Sequence, residues 1–370
     1  MYFILTIFLF SFLSIYGYLL SKKNNLKLKH FLPVILVYTF IEGLRFGRGI
    51  DYNIYYGVFT DITKYNYYKP GFEPLFLLLC KFLGALEANY QWLIIICSAT
   101  LITAGCNLLK LHKKVLMFSL PLFAYSCLIA ETIFRFYLGF SFILFAISAM
   151  IQNKYKTAII CAICAFLIHY ALLPVIFVFS LIYYYKKIIL KPFYAIIIYV
   201  LLLLIWNSNM FLIITPIFNI LESSSRYALY MENIEGWLTG ENKQEVVLSA
   251  MTWIRILVIH LFLLYIGYHQ AIKQKENYIF FYNILLIGII TYPICYKVEL
   301  FNRYNSLFIF FQCIIGAYSF YYYKKSQLKP LIILAFLIYS THIINISRNP
   351  NENETLFIWD SRGRKYLPYD

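Results

Sequence analysis

Charge is scarce in this 370-residue chain, and acidic charge is scarcer than basic. Only 13% of the residues are charged, with 17 acidic residues against 32 lysines and arginines, while 62% are hydrophobic. So little charge excludes an ordinary soluble domain with a hydrated surface. The period-two alternation of a membrane β-barrel is missing too. What remains is an all-α polytopic membrane protein, which we expect to form a single membrane domain over residues 1–370.

The signature motifs of several enzyme classes are also missing. The sequence has no DxD, HExxH, Walker or GxSxG motif and no spaced set of metal ligands, so no metal and no cofactor is predicted. Cys161 and Cys164 have CxxC spacing but no second pair, and packing explains them better than redox chemistry. The basic residues form short clusters between apolar runs, which is typical of topology signals and does not indicate nucleic-acid binding.

Apolar runs long enough to cross a hydrocarbon core of about 30 Å predict about twelve transmembrane helices with both termini outside. In this topology only Glu276 of the acidic residues is cytoplasmic, and the cytoplasmic lysines are clustered in very short loops. The protein is therefore expected to be multi-pass, in a bacterial cytoplasmic (inner) membrane. Extracytoplasmic loops are predicted at about 45–89, 207–247 and 295–303, with an extracytoplasmic tail at about 348–370.

Two apolar segments do not fit simple spans. Phe72–Leu86 is interrupted by Lys81, and a full crossing would place the following lysine cluster on the wrong side, so a re-entrant or interfacial helix is predicted. Thr157–Tyr184 is too long for one untilted helix and carries lysines at both ends. Two short helices that meet near His169, with Pro174 close to the break, fit it better.

Arginine is confined to the predicted outer loops and span ends, whereas the inner loops carry lysine alone. Lysine suffices as a topology charge, but arginine is preferred where a phosphate or carboxylate is held by a fork of donors. We therefore expect the outer arginines to converge on an anionic ligand. The alternative is that each one snorkels to the interface or pairs with a nearby acid such as Glu131 or Glu299. Apart from the arginines of the predicted outer tail, the set is Arg45, Arg48, Arg135, Arg226, Arg255 and Arg303.

His169 lies inside an apolar run, where an ionisable side chain indicates function by default. The alternative is a packed, hydrogen-bonded histidine, which is the better interpretation for His260. Tyrosines surround the first outer loop. They suit an aromatic belt at the interface, and they also suit sugar recognition through stacking and phenol hydrogen bonds.

Several short segments match one family in order. They are Arg45-Phe-Gly-Arg-Gly49-Ile-Asp51-Tyr52-Asn-Ile-Tyr55 with Phe59, Gly71-Phe72-Glu73-Pro74, Arg135-Phe-Tyr-Leu-Gly, Ala165-Phe-Leu-Ile-His169, Arg303-Tyr-Asn and Tyr366-Leu-Pro-Tyr369. Together they resemble the EpsG-type family, among the Wzy-like bacterial polysaccharide polymerases of O-antigen, capsule and exopolysaccharide. One departure is that Glu73 follows Pro-Gly, whereas the family often has the acid before it.

The resemblance implies a GT-C-like fold and a metal-independent, inverting glycosyl transfer on the outer leaflet. Repeat units of oligosaccharide on undecaprenyl pyrophosphate would be joined there, among membrane lipids, with a flippase and a chain-length regulator as possible pathway partners. Arginines would bind the pyrophosphates, and Asp51, Glu73 or His169 would be the base, with Asp51 favoured by its motif. The implied catalytic residues are Asp51, Glu73, His169 and Arg45, and the implied substrate-binding residues are Arg48, Tyr52, Tyr55, Arg135, Arg226, Arg255 and Arg303.

Other classes stay open at this point. An O-antigen ligase-like glycosyltransferase differs from a polymerase only in its acceptor. A lipid-linked oligosaccharide flippase is disfavoured, because its charges should be spread through the membrane, not crowded at one face. A membrane acyltransferase that uses His169 and a non-catalytic assembly subunit are the remaining alternatives.

Overall fold

The computed structural model describes residues 2–49, 51–68, 72–205, 250–273, 276–296, 299–323, 328–348 and 357. Within these ranges the regular secondary structure is helical, apart from one isolated bridge between Arg45 and Phe357. The helices are α1 (Tyr2–Lys22), α2 (Leu32–Gly43), α3 (Tyr52–Lys64), α4 (Pro74–Ala85), α5 (Tyr90–Leu109), α6 (Leu116–Ser126), α7 (Phe134–Ile151), α8 (Tyr155–Ile168), α9 (Leu173–Tyr184), α10 (Pro192–Ile205), α11 (Ala250–Lys273), α12 (Glu276–Cys295), α13 (Glu299–Ile309), α14 (Gln312–Tyr321) and α15 (Lys329–Arg348).

Among the described residues, five helical ranges are long and apolar enough to cross a membrane by length and composition: Tyr2–Lys22, Tyr90–Ser126, Phe134–Ile151, Ala250–Lys273 and Asn277–Cys295. The range Tyr90–Ser126 contains both α5 and α6, joined at a kink where His112 leaves helical geometry. Several further apolar helices are shorter. The chain is therefore a helical membrane protein, while the count of twelve spans and the GT-C-like arrangement stay predictions.

Helix α7 is at the centre of the bundle, because thirteen of its 18 residues are buried. It runs parallel to α5, since Tyr90 contacts Phe134 at one end and Asn107 bonds Ser148 at the other. It approaches the α8–α9 segment closely at Gly139, where an added Cβ atom would force the Leu172 side chain to move. Small residues allow such tight packing between membrane helices.

The two irregular segments are helical pieces with breaks. Helix α4 has only 12 residues and begins at Pro74, directly after Glu73. Helices α8 and α9 are separated by His169, which is extended (φ −153°, ψ 105°), and by a short 3-10 turn over Tyr170–Leu172. The predicted break near His169 is therefore present. It makes His169 a junction residue instead of a residue inside a span.

The two ends of the bundle differ in charge. At the end where α7 begins, Arg135, Glu73 and His169 are in contact. At the opposite end, Lys110 follows α5 and lies in the electrostatic reach of Lys154, which follows α7. We call these the arginine end and the lysine end. Their separation agrees with the sorting of arginine and lysine along the sequence.

The predicted topology can be tested with single cysteines at the two ends. In a background without the native cysteines, Asp61→Cys on α3 should react with a membrane-impermeant maleimide applied to intact cells. Lys156→Cys at the lysine end is the control and should react only after the cells are opened. Both residues are exposed, so burial will not protect them. Labelling of position 156 alone in intact cells would reverse the assigned orientation.

Candidate functional site

Arg135, in the first turn of α7, is surrounded by aromatic rings. Its guanidinium carbon is 5.6 Å from the ring centre of Tyr55, 5.2 Å from that of Phe72 and 5.5 Å from that of Phe76. Two of these rings flank the start of α4 and the third projects from α3. Stacked rings hold a guanidinium in a fixed plane while its edge stays available for an anion.

Glu73 joins Arg135 to His169. Its Oε2 accepts a hydrogen bond of 3.0 Å from Arg135 Nη1, and its Oε1 is 3.2 Å from His169 Nδ1. The second contact has ion-pair distance but is too oblique for a regular hydrogen bond. The three residues come from three separate elements. Glu73 directly precedes α4, Arg135 lies at the start of α7, and His169 is at the α8–α9 junction. We call Glu73, Arg135 and His169 the Glu73 cluster.

The electrostatics of the cluster separate the roles of its two titratable groups. Burial opposes ionisation of Glu73, but its contact with His169 and the positive charge of Arg135 outweigh burial and lower its pKa to about 2. The pKa of His169 is also lowered, chiefly by burial and further by Arg135, against the opposing effect of Glu73. At neutral pH Glu73 is therefore a carboxylate, and His169 is a neutral imidazole able to accept a proton.

A second ion pair belongs to the same neighbourhood. Arg303 Nη2 on α13 is 3.7 Å from Asp51 Oδ2, directly before α3. Arg303 and Asp51 are both electrostatic neighbours of Tyr55, which also faces Arg135. The predicted residues Asp51, Tyr55 and Arg303 are thus brought together beside Arg135 of the Glu73 cluster.

Arg48 lies in a different environment. Its Nε and Nη2 donate to Glu131, and Nη2 also donates to Glu42 over 3.0 Å. The Arg48 side chain is 0% exposed, whereas Arg135 is 17% and Arg303 24% exposed. We call Arg48, Glu42 and Glu131 the Arg48 cluster. Here the paired alternative raised from the sequence fits better than a substrate contact.

Arg45 and Tyr52 are buried beside this cluster. Arg45 Nη1 donates to the Glu42 carbonyl oxygen over 3.1 Å, and the Arg45 backbone forms the bridge to Phe357. The Tyr52 ring packs edge-on against Tyr90, at 5.2 Å between ring centres. The predicted roles of Arg45 in catalysis and Tyr52 in binding are not favoured by this burial.

The two remaining predicted arginines stand apart. Arg226 and the whole of the loop 207–247 lie outside the described residues. Arg255, near the start of α11, is an electrostatic neighbour of His342 on α15, which contacts Tyr125 at 2.7 Å. No described contact joins Arg255 to the Glu73 cluster within the ranges that the structure covers.

Sequence reasoning missed Glu42 and Phe357 as partners of Arg48. Phe357 is fully buried, with its ring 5.2 Å from the Arg48 guanidinium carbon. Glu42 carried a usable signal, since it is an acid at the end of an apolar run, where an unpaired charge is costly. Phe357 carried none, because it lies in a polar tail far from Arg48 in sequence.

The larger cavities are away from the charged residues. One of about 790 Å³ lies between α7, α8 and α9, with lining residues that include Ala146, Ala158 and Phe179. Another of about 1130 Å³ lies between α1, α6, α14 and α15, beside Phe336. Both are lined chiefly by apolar side chains, as lipid-facing grooves would be. The candidate site is therefore defined by its charges and contacts.

Fold and site together define a class: a helical membrane protein that gathers arginines, carboxylates and a histidine at one end of its bundle. The model of the EpsG family matches residues 28–357, and the chain belongs to the EpsG family. The resemblance drawn from the short motifs is confirmed, and membership indicates a polysaccharide polymerase-like membrane protein of glycosyltransferase type. No curated protein and no solved structure matches the chain.

Proposed function

We propose that the protein is a polysaccharide polymerase that joins lipid-linked oligosaccharide repeat units by inverting glycosyl transfer. The observation that carries this proposal is the Glu73 cluster, in which one carboxylate holds an arginine and a neutral histidine side by side. An arginine suits a pyrophosphate leaving group, and a neutral histidine suits deprotonation of a hydroxyl. Both requirements of the reaction are met by side chains of the chain itself.

In the proposed reaction, a hydroxyl oxygen of the acceptor sugar attacks the anomeric carbon of the donor. A new C–O glycosidic bond forms while the bond to the undecaprenyl pyrophosphate oxygen breaks. The leaving pyrophosphate gains negative charge, which Arg135 and Arg303 stabilise from fixed positions. Attack from the face opposite the leaving group inverts the anomeric configuration.

His169 is the best candidate for the base. A carboxylate with a pKa of about 2, as in Glu73, accepts a proton weakly at neutral pH. The Glu73 carboxylate 3.2 Å from His169 Nδ1 favours the tautomer with its proton on Nδ1, which leaves the Nε2 lone pair for the acceptor hydroxyl. Glu73 then orients His169 and stabilises the imidazolium that forms. Asp51, which the motif favoured, contacts Arg303 and is assigned to orienting that arginine.

The location and partners follow from the substrate. We place the arginine end at the outer surface of the bacterial inner membrane, where flipped lipid-linked repeat units are available. A flippase would supply the substrate and a chain-length regulator would act on the product. Tyr55 lies beside Arg135 and is suited to contact the sugar or the phosphate.

The proposal is tested by reconstitution. Purified protein in nanodiscs should convert lipid-linked repeat units, extracted from host cells that lack the polymerase, into a ladder of longer glycans. The ladder should persist in EDTA, and NMR should show the inverted anomeric configuration at each new linkage. Transfer of a single repeat to a non-polyprenyl acceptor, with no ladder, would instead identify a ligase. Loss of the ladder in EDTA that added metal restores would contradict the metal-independent mechanism.

A further inference from the structure

Arg48 is enclosed on all sides that the structure describes. Two carboxylates contact its guanidinium, and the rings of Tyr2 and Phe357 flank it, with ring centres 5.1 and 5.2 Å from the guanidinium carbon. Its side chain has no exposed surface. A ligand cannot reach a guanidinium packed in this way without dismantling the cluster. Arg48 must therefore act, if at all, through other residues.

The contacts of Arg48 join two parts of the site that are distant in sequence. Arg48 precedes Asp51 by three residues, and Glu131 precedes Arg135 by four. The Arg48–Glu131 contact spans 83 residues and makes two hydrogen bonds, from Nε and from Nη2. Glu42, in contrast, is only six residues from Arg48 at the end of α2, so its contact is local.

The backbone at Gly49 reinforces this junction. Gly49 has φ +96°, a conformation that favours glycine, and a Cβ atom there would collide with the carbonyl oxygen of Glu131. The loop before Asp51 is thus seated directly on the turn before α7. Side-chain and backbone contacts fix the same two segments against each other.

We propose that Arg48 and Glu131 are positioning residues that set the placement of Asp51 and Arg303 relative to Arg135. The expected loss of rate rests on the proposed function, whereas the expected shift of the Asp51 loop does not. If the ion pair is lost, the loop that carries Asp51 shifts, and Arg303 loses its orienting partner. Displacements of about 1 Å at a reacting group cost rate even when the mutation is remote.

Glu131 and Glu42 provide a matched pair of variants. Each contacts the same guanidinium, and replacing either one with glutamine keeps the size of the side chain and leaves Arg48 its other acidic partner. Glu131→Gln weakens the two hydrogen bonds that cross the junction between the two segments. Glu42→Gln changes the local contact with Arg48 and keeps a hydrogen-bonding side chain beside Glu131. A general effect of disturbing the Arg48 cluster would appear in both variants, and a positioning effect should appear in Glu131→Gln alone.

The placement is measured without reference to activity. Spin labels at Asn53→Cys on α3 and Leu173→Cys at the start of α9, both exposed positions, report the distance across the site in a background without native cysteines. We expect a narrow distance distribution in the parent protein and in Glu42→Gln. Glu131→Gln and Arg48→Gln should broaden or shift it, and Arg48→Lys should restore it in part. An unchanged distribution in Glu131→Gln would overturn the proposal.

Kinetics in nanodiscs supply the second measurement. Glu131→Gln should lower kcat by ~100-fold, because the rate depends on how closely the reacting groups are placed. KM and the affinity for undecaprenyl pyrophosphate, used as the binding probe, should change less than about threefold, because Arg135 and Arg303 are both still present to attract the anion. Glu42→Gln should keep the parent kcat. Full activity of Glu131→Gln alongside an inactive His169→Ala would refute the positioning role and leave the proposed function standing. Full activity of His169→Ala would refute the proposed base, while the distance measurement would still decide the positioning role.

Discussion

Replacement of His169 with alanine is expected to abolish long glycan chains while single repeat units accumulate on their lipid carrier. Removal of a general base typically costs about 10²–10⁴-fold in rate. The neighbouring Glu73 cannot take over, because its low pKa makes it a weak base at neutral pH. Glycan length on gels and kcat in nanodiscs measure the effect, with membrane levels of the variant determined in parallel.

His112 offers the matched control for His169. It is buried at the lysine end, where its Nδ1 contacts the Tyr318 hydroxyl at 3.2 Å, far from the Glu73 cluster. His112→Ala should therefore retain chain length per folded molecule. If the two histidine variants lose activity in proportion to their loss of folded protein, the effect is structural and His169 is not the base.

The pH profile gives His169 a distinctive signature. Burial and the charges of Arg135 and Arg303 lower the pKa of His169 below its ordinary 6.5, with Glu73 opposing. The neutral form therefore persists below pH 6.5, and activity should fall only as more acidic solutions protonate the ring. This acidic limb should be missing from any residual activity of His169→Ala.

Replacement of Arg135 is expected to have the second large effect. Arg135→Ala should lower kcat roughly 10²–10³-fold, the usual cost of removing one donor that stabilises developing negative charge. The variant also removes the arginine partner of Glu73 and leaves its contact with His169. Because the guanidinium is stacked among three rings, Arg135→Lys should recover only part of the rate, since an ammonium lacks the planar fork.

Lys81 is the control for Arg135. It lies on α4, which begins beside the cluster, and its ammonium is 4.6 Å from the ring centre of Tyr68, a cation–π contact of the same kind. Lys81→Ala removes a cation near the site without touching the Glu73 cluster and should keep the parent rate. Equal losses in Lys81→Ala and Arg135→Ala would indicate a general effect of positive charge.

The sequence was most informative about the candidate site where a single ionisable residue stands in or beside an apolar segment. His169 in an apolar run and Glu73 before a short helix each indicated that its segment belongs to the candidate site. The break at His169 was expected because an overlong apolar run carries lysines at both ends. These signals are local, because the cost of burying an ionisable group depends on the residue and its neighbours.

Which arginines are enclosed by other residues and which stay partly exposed could not be predicted from the sequence. Arg48 and Arg135 both stand near the end of an apolar run with aromatic residues close by, yet only Arg135 retains an exposed edge. The difference arises because Gly49 turns with positive φ and seats Arg48 against Glu131, 83 residues away. A contact of that separation depends on helix packing, which residue spacing does not report.

The short helices α8 and α9 have a consequence for the bilayer itself. With 14 and 12 residues they extend only about 21 and 18 Å, against a hydrocarbon core of about 30 Å. Both display exposed apolar side chains, among them Ile160 and Phe177. We expect the surrounding lipid to thin locally to match them. A polyprenyl carrier that approaches from this flank would bring its headgroup deeper than elsewhere, down to the level of His169.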